Sequence, residues 1–245
     1  MRLLSLPFLA AAFIAPAAHA VTVDELVARY TEATGGAARI AAIQSEKFTG
    51  KLDLGGGVTM DGVTTVRRPN SQRFELTLQG LTSVQAFDGK EAWQIQPFNG
   101  RKDPERISAE EARTYSDEAD LDGLLIDYKK KNHKVEYLGT EDVDGTEAHK
   151  LLVSLDNGDR FEVFLDPDYF LEIRRVAHYF VRGVERVQRT EFGDYEKVNG
   201  VFLPFSFSYQ QQGSPDRQVF TVEHVELNVP ADESQFHFPQ AAAKK

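Results

Sequence analysis

Past the N-terminal stretch the chain carries five histidines, His133, His149, His178, His224 and His237. A metal centre or an acid–base catalyst would need some of them at a ligand spacing such as H-E-x-x-H, and none has it. His178 and His224 fall within alternating stretches, where structural or surface histidines are expected. Asp142-Val143-Asp144-Gly145 has two acids before a glycine, but a calcium loop needs a third ligand ahead of that glycine and a closing glutamate. The sequence has no cysteine, so a thiol nucleophile and disulfides are excluded. There is no G-x-S-x-G, and Gly55-Gly56-Gly57 leads into a strand pattern instead of a helix, which makes it a poor phosphate cradle. Paired carboxylates could hydrolyse glycosides. Glu162, Glu172, Glu185 and Glu191 alternate with apolar or basic neighbours, as on the wet face of a strand. No catalytic residue, metal or cofactor is assigned, and the chain reads as a non-enzyme.

Apolar strand surface is abundant instead. In LPFSFSYQ, residues 203–210, Leu203, Phe205, Phe207 and Tyr209 share one face of a strand, and Ser206 and Ser208 share the other. Burying one such ring contributes roughly 1.5–3 kcal/mol, so the face needs a core, a partner or a ligand. Trp93 with Ile95, and Phe161 with Val163 and Leu165, repeat the pattern. These rings fill an ordinary core or wall a cavity, and the architecture decides which.

The elements that position them follow from periodicity. Thr22-Val23-Asp24-Glu25 is a capping box that starts a helix running to about Thr34, where Gly35-Gly36 stops it. AARIAAI, residues 37–43, reads as a second short helical turn. From Glu46 to about Gln96 apolar and polar residues alternate between turn signals, which predicts an antiparallel meander. Residues 103–131 do not alternate. Ser108-Ala109-Glu110-Glu111 is a second capping box, and Leu121, Leu124, Leu125 and Tyr128 fall at i, i+3, i+4 and i+7, which predicts a helical excursion of about 25 residues. Strands then resume, joined by Asp144-Gly145, Asn157-Gly158, Asp166-Pro167 and Asn199-Gly200 turns. The sum is a mainly β protein with a single sheet of roughly ten strands, too many to stay flat and open.

Residues 1–20 read as a secretory signal peptide: Arg2, an apolar run from Leu3 to Ala15, and Ala18-His19-Ala20 as the cleavage site. Residues 21–245 then form one domain. Cleavage removes only Arg2 among the charged groups and takes the formal charge from −10 to −11. An acidic chain without a basic patch is a poor match for nucleic acid. The expected location is the periplasm.

The segments DEADLDGLLIDYKKKNHKVEYLGTEDVDGTEAHKLLVSLDNGD, FLDPDYFLEIR, GDYEKVNGVFLPFSF and VELNVPADESQFHFP occur in that order. Together with the N-terminal VDELVARYTEATGG they resemble the LolA-like outer-membrane lipoprotein-sorting proteins. The resemblance implies a half-barrel: one strongly curved antiparallel sheet with an N-terminal helix and a helical lid insertion. It implies a carrier or chaperone for acyl chains of lipoproteins or other lipids, transferring them toward the outer membrane, with an inner-membrane donor complex and an outer-membrane acceptor as partners. A sensor or regulatory module that binds lipoprotein or lipid ligands is the alternative. On this reading Phe74, Leu76, Leu78, Trp93, Ile95, Phe205, Phe207 and Tyr209 line the hydrophobic cavity, and Leu121, Leu124, Leu125 and Tyr128 belong to the lid. Arg67 and Arg73 lie near the inner strands, and neither matches the lid-contacting arginine of that family.

Overall fold

A computed structural model describes residues 21–239. Its strands are β1 (Ser45–Asp53), β2 (Thr59–Arg67), β3 (Ser71–Leu78), β4 (Leu81–Phe87), β5 (Ala92–Gln96), β6 (Arg101–Arg106), β7 (Lys134–Val143), β8 (Thr146–Ser154), β9 (Arg160–Leu165), β10 (Glu172–Val181), β11 (Val184–Val198), β12 (Val201–Gln211) and β13 (Arg217–Leu227). They form one antiparallel sheet of 13 strands, in the order β6-β5-β4-β3-β2-β1-β13-β12-β11-β10-β9-β8-β7. Two meanders thus meet at the β1–β13 pair, and the sheet ends on unpaired edges at β6 and β7. Both edges are rich in charge, and β6 carries Pro104, a residue a sheet accepts only where no ladder bond is needed.

A twisted sheet this wide must curl. The β1–β13 register shifts between Thr49 and Gly50, a bulge that sharpens the bend. Gly50 permits the close approach there, because a Cβ would sit 2.1 Å from the Thr221 carbonyl oxygen. The expected tight hairpins are present: Asp144 and Gly145 (φ 51° and 92°) join β7 to β8, and Asn199 and Gly200 (49° and 88°) join β11 to β12.

Helix α1 (Val23–Ala33) starts on its capping box: the Glu25 amide donates to Thr22 Oγ1 at 3.2 Å, and the Thr22 amide donates to Glu25 Oε2 at 2.9 Å. It lays Leu26 and Val27 on Leu151, Val153, Phe161, Val163 and Leu165, filling the concave side of β8 and β9. Helix α2 (Ala37–Ala41) buries Ile40. Helix α3 (Ala109–Glu118) is capped by Ser108.

The 103–131 segment departs from expectation. Residues 101–106 are an edge strand, α3 takes the next ten positions of helix, and residues 121–132 form successive turns. The predicted helical face at Leu121, Leu124, Leu125 and Tyr128 is therefore not helical. Left-handed backbone at Gly123, Asp127 and Asn132 (φ 63°, 55° and 58°) interrupts any continuous helix. The local bonds are mostly i+3 turns, such as the Gly123 amide to the Asp120 carbonyl, with no run of successive i+4 bonds. Residues 1–20, assigned above to the signal peptide, lie outside the described residues.

Candidate functional site: a cavity in the half-barrel

Where α1 ends its cover, the concave face stays open and encloses a cavity of about 730 Å³. Pairing register sets its wall. Phe48 on β1 stands opposite Thr64 on β2, which stands opposite Phe74 on β3, so these three side chains share the inner face. From the other arm, Phe207 on β12 stands between Phe192 on β11 and Phe220 on β13. Phe207 meets Phe48, Phe192 and Tyr209 at ring-centroid distances of 6.3, 5.8 and 6.4 Å. Gly62 makes room for the Phe220 ring, which a Cβ there would meet at 2.5 Å. Ile40, Ile43, Leu121 and Ile126 complete the apolar lining from α2 and the turn segment.

The lid has two parts. Helix α3 spans the two arms of the sheet: its Ala112 and Ala119 pack on Phe87 and Ala92. On the far side, Arg113 donates to the carbonyls of Asn157 and Phe180 at 3.0 and 2.9 Å, and the Arg182 amide donates to Glu110 at 2.6 Å. The turn segment is held by Arg68, whose guanidinium forks onto the Asp122 carboxylate and also donates to the Ile43 carbonyl at 2.6 Å. That bond holds the Asp122 carboxyl below its ordinary pKa. Lys131 binds Asp120 and the Gly123 carbonyl, tightening the same turns.

Polar groups occupy the rest of the lining. Arg175 donates through Nε and Nη2 to the two oxygens of Glu172 at 2.7 and 2.6 Å, and Tyr195 donates to the Glu172 carbonyl at 2.7 Å. Glu172 is buried, so its assignment to a wet strand face is corrected: a bulge between Glu172 and Arg174 turns it inward. Burial pushes Glu46 up to about 7, with Arg68 opposing. Burial and the neighbouring Asp159 push Asp117 up to about 7. Glu118 hangs into the cavity, walled by protein yet reached by water, and accepts from Gln72 Nε2 at 3.4 Å. Desolvation raises its pKa. No group of three or more His, Cys, Asp or Glu side chains suited to a metal ion occurs among the described residues.

Of the residues singled out from sequence, Phe74, Leu76, Phe207, Tyr209 and Leu121 line this cavity. Trp93 and Ile95 do not. They pair with Ala86 and Val84 on the opposite face of the sheet, where Trp93 Nε1 donates to the Phe236 carbonyl at 2.8 Å and its ring meets Phe238 at 6.3 Å. Strand alternation is legible in a five-residue strand, but which face is concave is not. Phe205 packs beside the cavity with Val222 and Phe220, and Leu78 lies beyond its wall. Leu124 and Leu125 sit in the core under α1, and Tyr128 donates to Asp24 at 2.7 Å. Arg73 faces outward against Trp93 and Glu75, whereas Arg68, passed over in sequence, is the lid's anchor. Its only local signal is its place before the Pro69-Asn70 turn. Glu46 and Arg175 were missed, and Glu172 was placed outward, because nothing in a β-pattern marks an inward charge.

No family model and no curated protein matches the chain. Among solved structures it is similar to a domain named for outer membrane lipoprotein sorting from Vibrio parahaemolyticus, at TM-score 0.57 and 11% identity over 88% of this chain and 97% of that one. A LolA superfamily protein from Nitrosomonas europaea gives TM-score 0.57 and 10% identity over 89% and 98%. A DUF1329 family protein from Desulfovibrio piger gives 0.54 and 14% over 88% and 97%. The chain therefore has the LolA-like fold, a mainly β open half-barrel, as the sequence resemblance implied.

Proposed function

We propose that this chain is a non-enzymatic periplasmic carrier that holds an acyl chain of a lipid or lipoprotein in the half-barrel cavity and transfers it toward the outer membrane. One observation carries the reading: aromatic rings from both arms, Phe48, Phe74, Phe207 and Phe220, converge on a space of about 730 Å³ that the protein's own side chains leave unfilled. That volume suits one small-molecule ligand. Each buried methylene contributes about 0.8 kcal/mol, so one long chain gains on the order of 10 kcal/mol before ordering and lid costs. The likeness to a lipoprotein-sorting domain supports the same reading. Loading would require the Arg68–Asp122 fork to part and the turn segment to swing off α2. Affinity then differs between open and closed states, and no bond is made or broken.

The test is a titration of delipidated protein with an acylated peptide. One-to-one uptake that Phe207→Asp abolishes is expected. Absence of uptake, or chemical turnover of the peptide, overturns the proposal, and uptake only in the presence of a membrane-bound partner transfers it to a sensor.

A further inference from the structure

The cavity is not uniformly oily, and its polarity is one-sided. Its lining holds seven carboxyl side chains against one guanidinium, that of Arg175, which is already forked onto Glu172. Asp122 and Asp120 are paired with Arg68 and Lys131 from outside the lining, and Glu46, Asp117, Glu118 and Asp216 have no ion pair among the described residues. Beneath α3 the wall turns to amides: Gln72 and Gln85 stand on β3 and β4, and Gln188 faces them from β11. Two buried oxygens here, Gln72 Oε1 and Asp117 Oδ2, have no hydrogen-bond partner among the described residues, and Gln72 is 9% exposed. Unpaired buried acceptors are costly, and a ligand that supplies donors removes that cost. An anionic head would meet the carboxylates with no available cation.

Resting on the carrier reading, we infer that this chamber under α3 selects amphiphiles whose head group carries O–H or N–H donors and no negative charge. The tail lies among the phenylalanines and the head against Gln72, Gln85, Gln188 and Asp117. Two sources supply such a head, a neutral polyol and an ammonium.

Four probes of equal chain length separate the possibilities by displacement of a fluorescent fatty reporter at pH 8: monolauroylglycerol, dodecylamine, methyl laurate and laurate. Monolauroylglycerol or dodecylamine should bind about tenfold tighter than methyl laurate, which has acceptors only, and laurate should bind most weakly; whichever of the first two is tighter identifies the source. Gln85→Leu and Gln188→Leu, two half-buried positions, should each shrink the gap between monolauroylglycerol and methyl laurate by about fivefold, the scale of one lost hydrogen bond. Laurate or methyl laurate binding as tightly as the donor-bearing probes overturns the head-group inference alone. Failure of the fatty reporter and of all four probes to bind overturns the carrier reading with it.

Discussion

Two stretches of the concave face share one construction and meet opposite fates. On β8 and β9, Leu151, Val153, Phe161, Val163 and Leu165 are sealed under α1 with Leu124 and Leu125 and are at most 2% exposed. On β1, β3 and β12, Phe48, Phe74, Leu76 and Phe207 have the same alternation, yet they border open space. Strand composition does not distinguish them. The difference lies in the cover: an eleven-residue helix with a packed apolar face over one stretch, and a strap of alanines plus a run of turns over the other. A core and a cavity are thus the same surface with different lids.

The widest separation should come from truncating one ring in each stretch. Phe161→Ala should cost about 3–5 kcal/mol in urea unfolding, as for a large void in a sealed core. Phe207→Ala should cost less than about 2 kcal/mol, since its ring already borders open space, while weakening acyl binding. Equal costs would mean that the second stretch is packed like the first.

Next in size is the pH response of the acids beside the cavity. Glu46 has a folded pKa of about 7 against an ordinary 4.5. The folded state therefore holds the proton more tightly, and stability falls as pH rises from about 4.5 to about 7, then levels off. The shift corresponds to on the order of 3 kcal/mol. Glu46→Gln should flatten that decline in urea midpoints measured across the window. A wild-type stability that rises through it would contradict the burial argument.

Smaller again is the latch. Arg68→Ala should cost about 2 kcal/mol, the scale of charge-assisted hydrogen bonds. It should speed amide exchange in residues 120–126 and leave α1 unchanged. Smallest is the helix cover: Thr22→Ala removes an N-cap and should cost about 1 kcal/mol, seen as faster exchange in the first turn of α1.

Most of the frame was legible in the sequence, because turn chemistry and alternation are local. The Asp-Gly and Asn-Gly hairpins and the Thr22 and Ser108 caps follow from neighbouring residues, and the curved sheet was what the resemblance implied. The cavity wall was half legible. Phe74 and Phe207 were found, but Trp93 was placed on the wrong face because alternation gives parity without saying which side is concave. The helix expected at residues 121–128 failed for a related reason: leucines spaced for a helix can equally be set inward by left-handed turns at Gly123 and Asp127. Arg68 and Glu46 depend on contacts between distant segments, and no local pattern encodes those; Glu172 and Arg175 are only three residues apart, and the bulge between Glu172 and Arg174 is what hid them.

The central claim is that the unfilled part of the half-barrel receives a hydrocarbon tail. A crystal of the protein with a lipid brominated near its chain end tests it directly through the anomalous bromine signal. Bromine between the Phe74 and Phe207 rings is the expected result. Bromine on the convex face beside Trp93, or an ordered lid with side chains closing the space and no bromine within, would contradict the account.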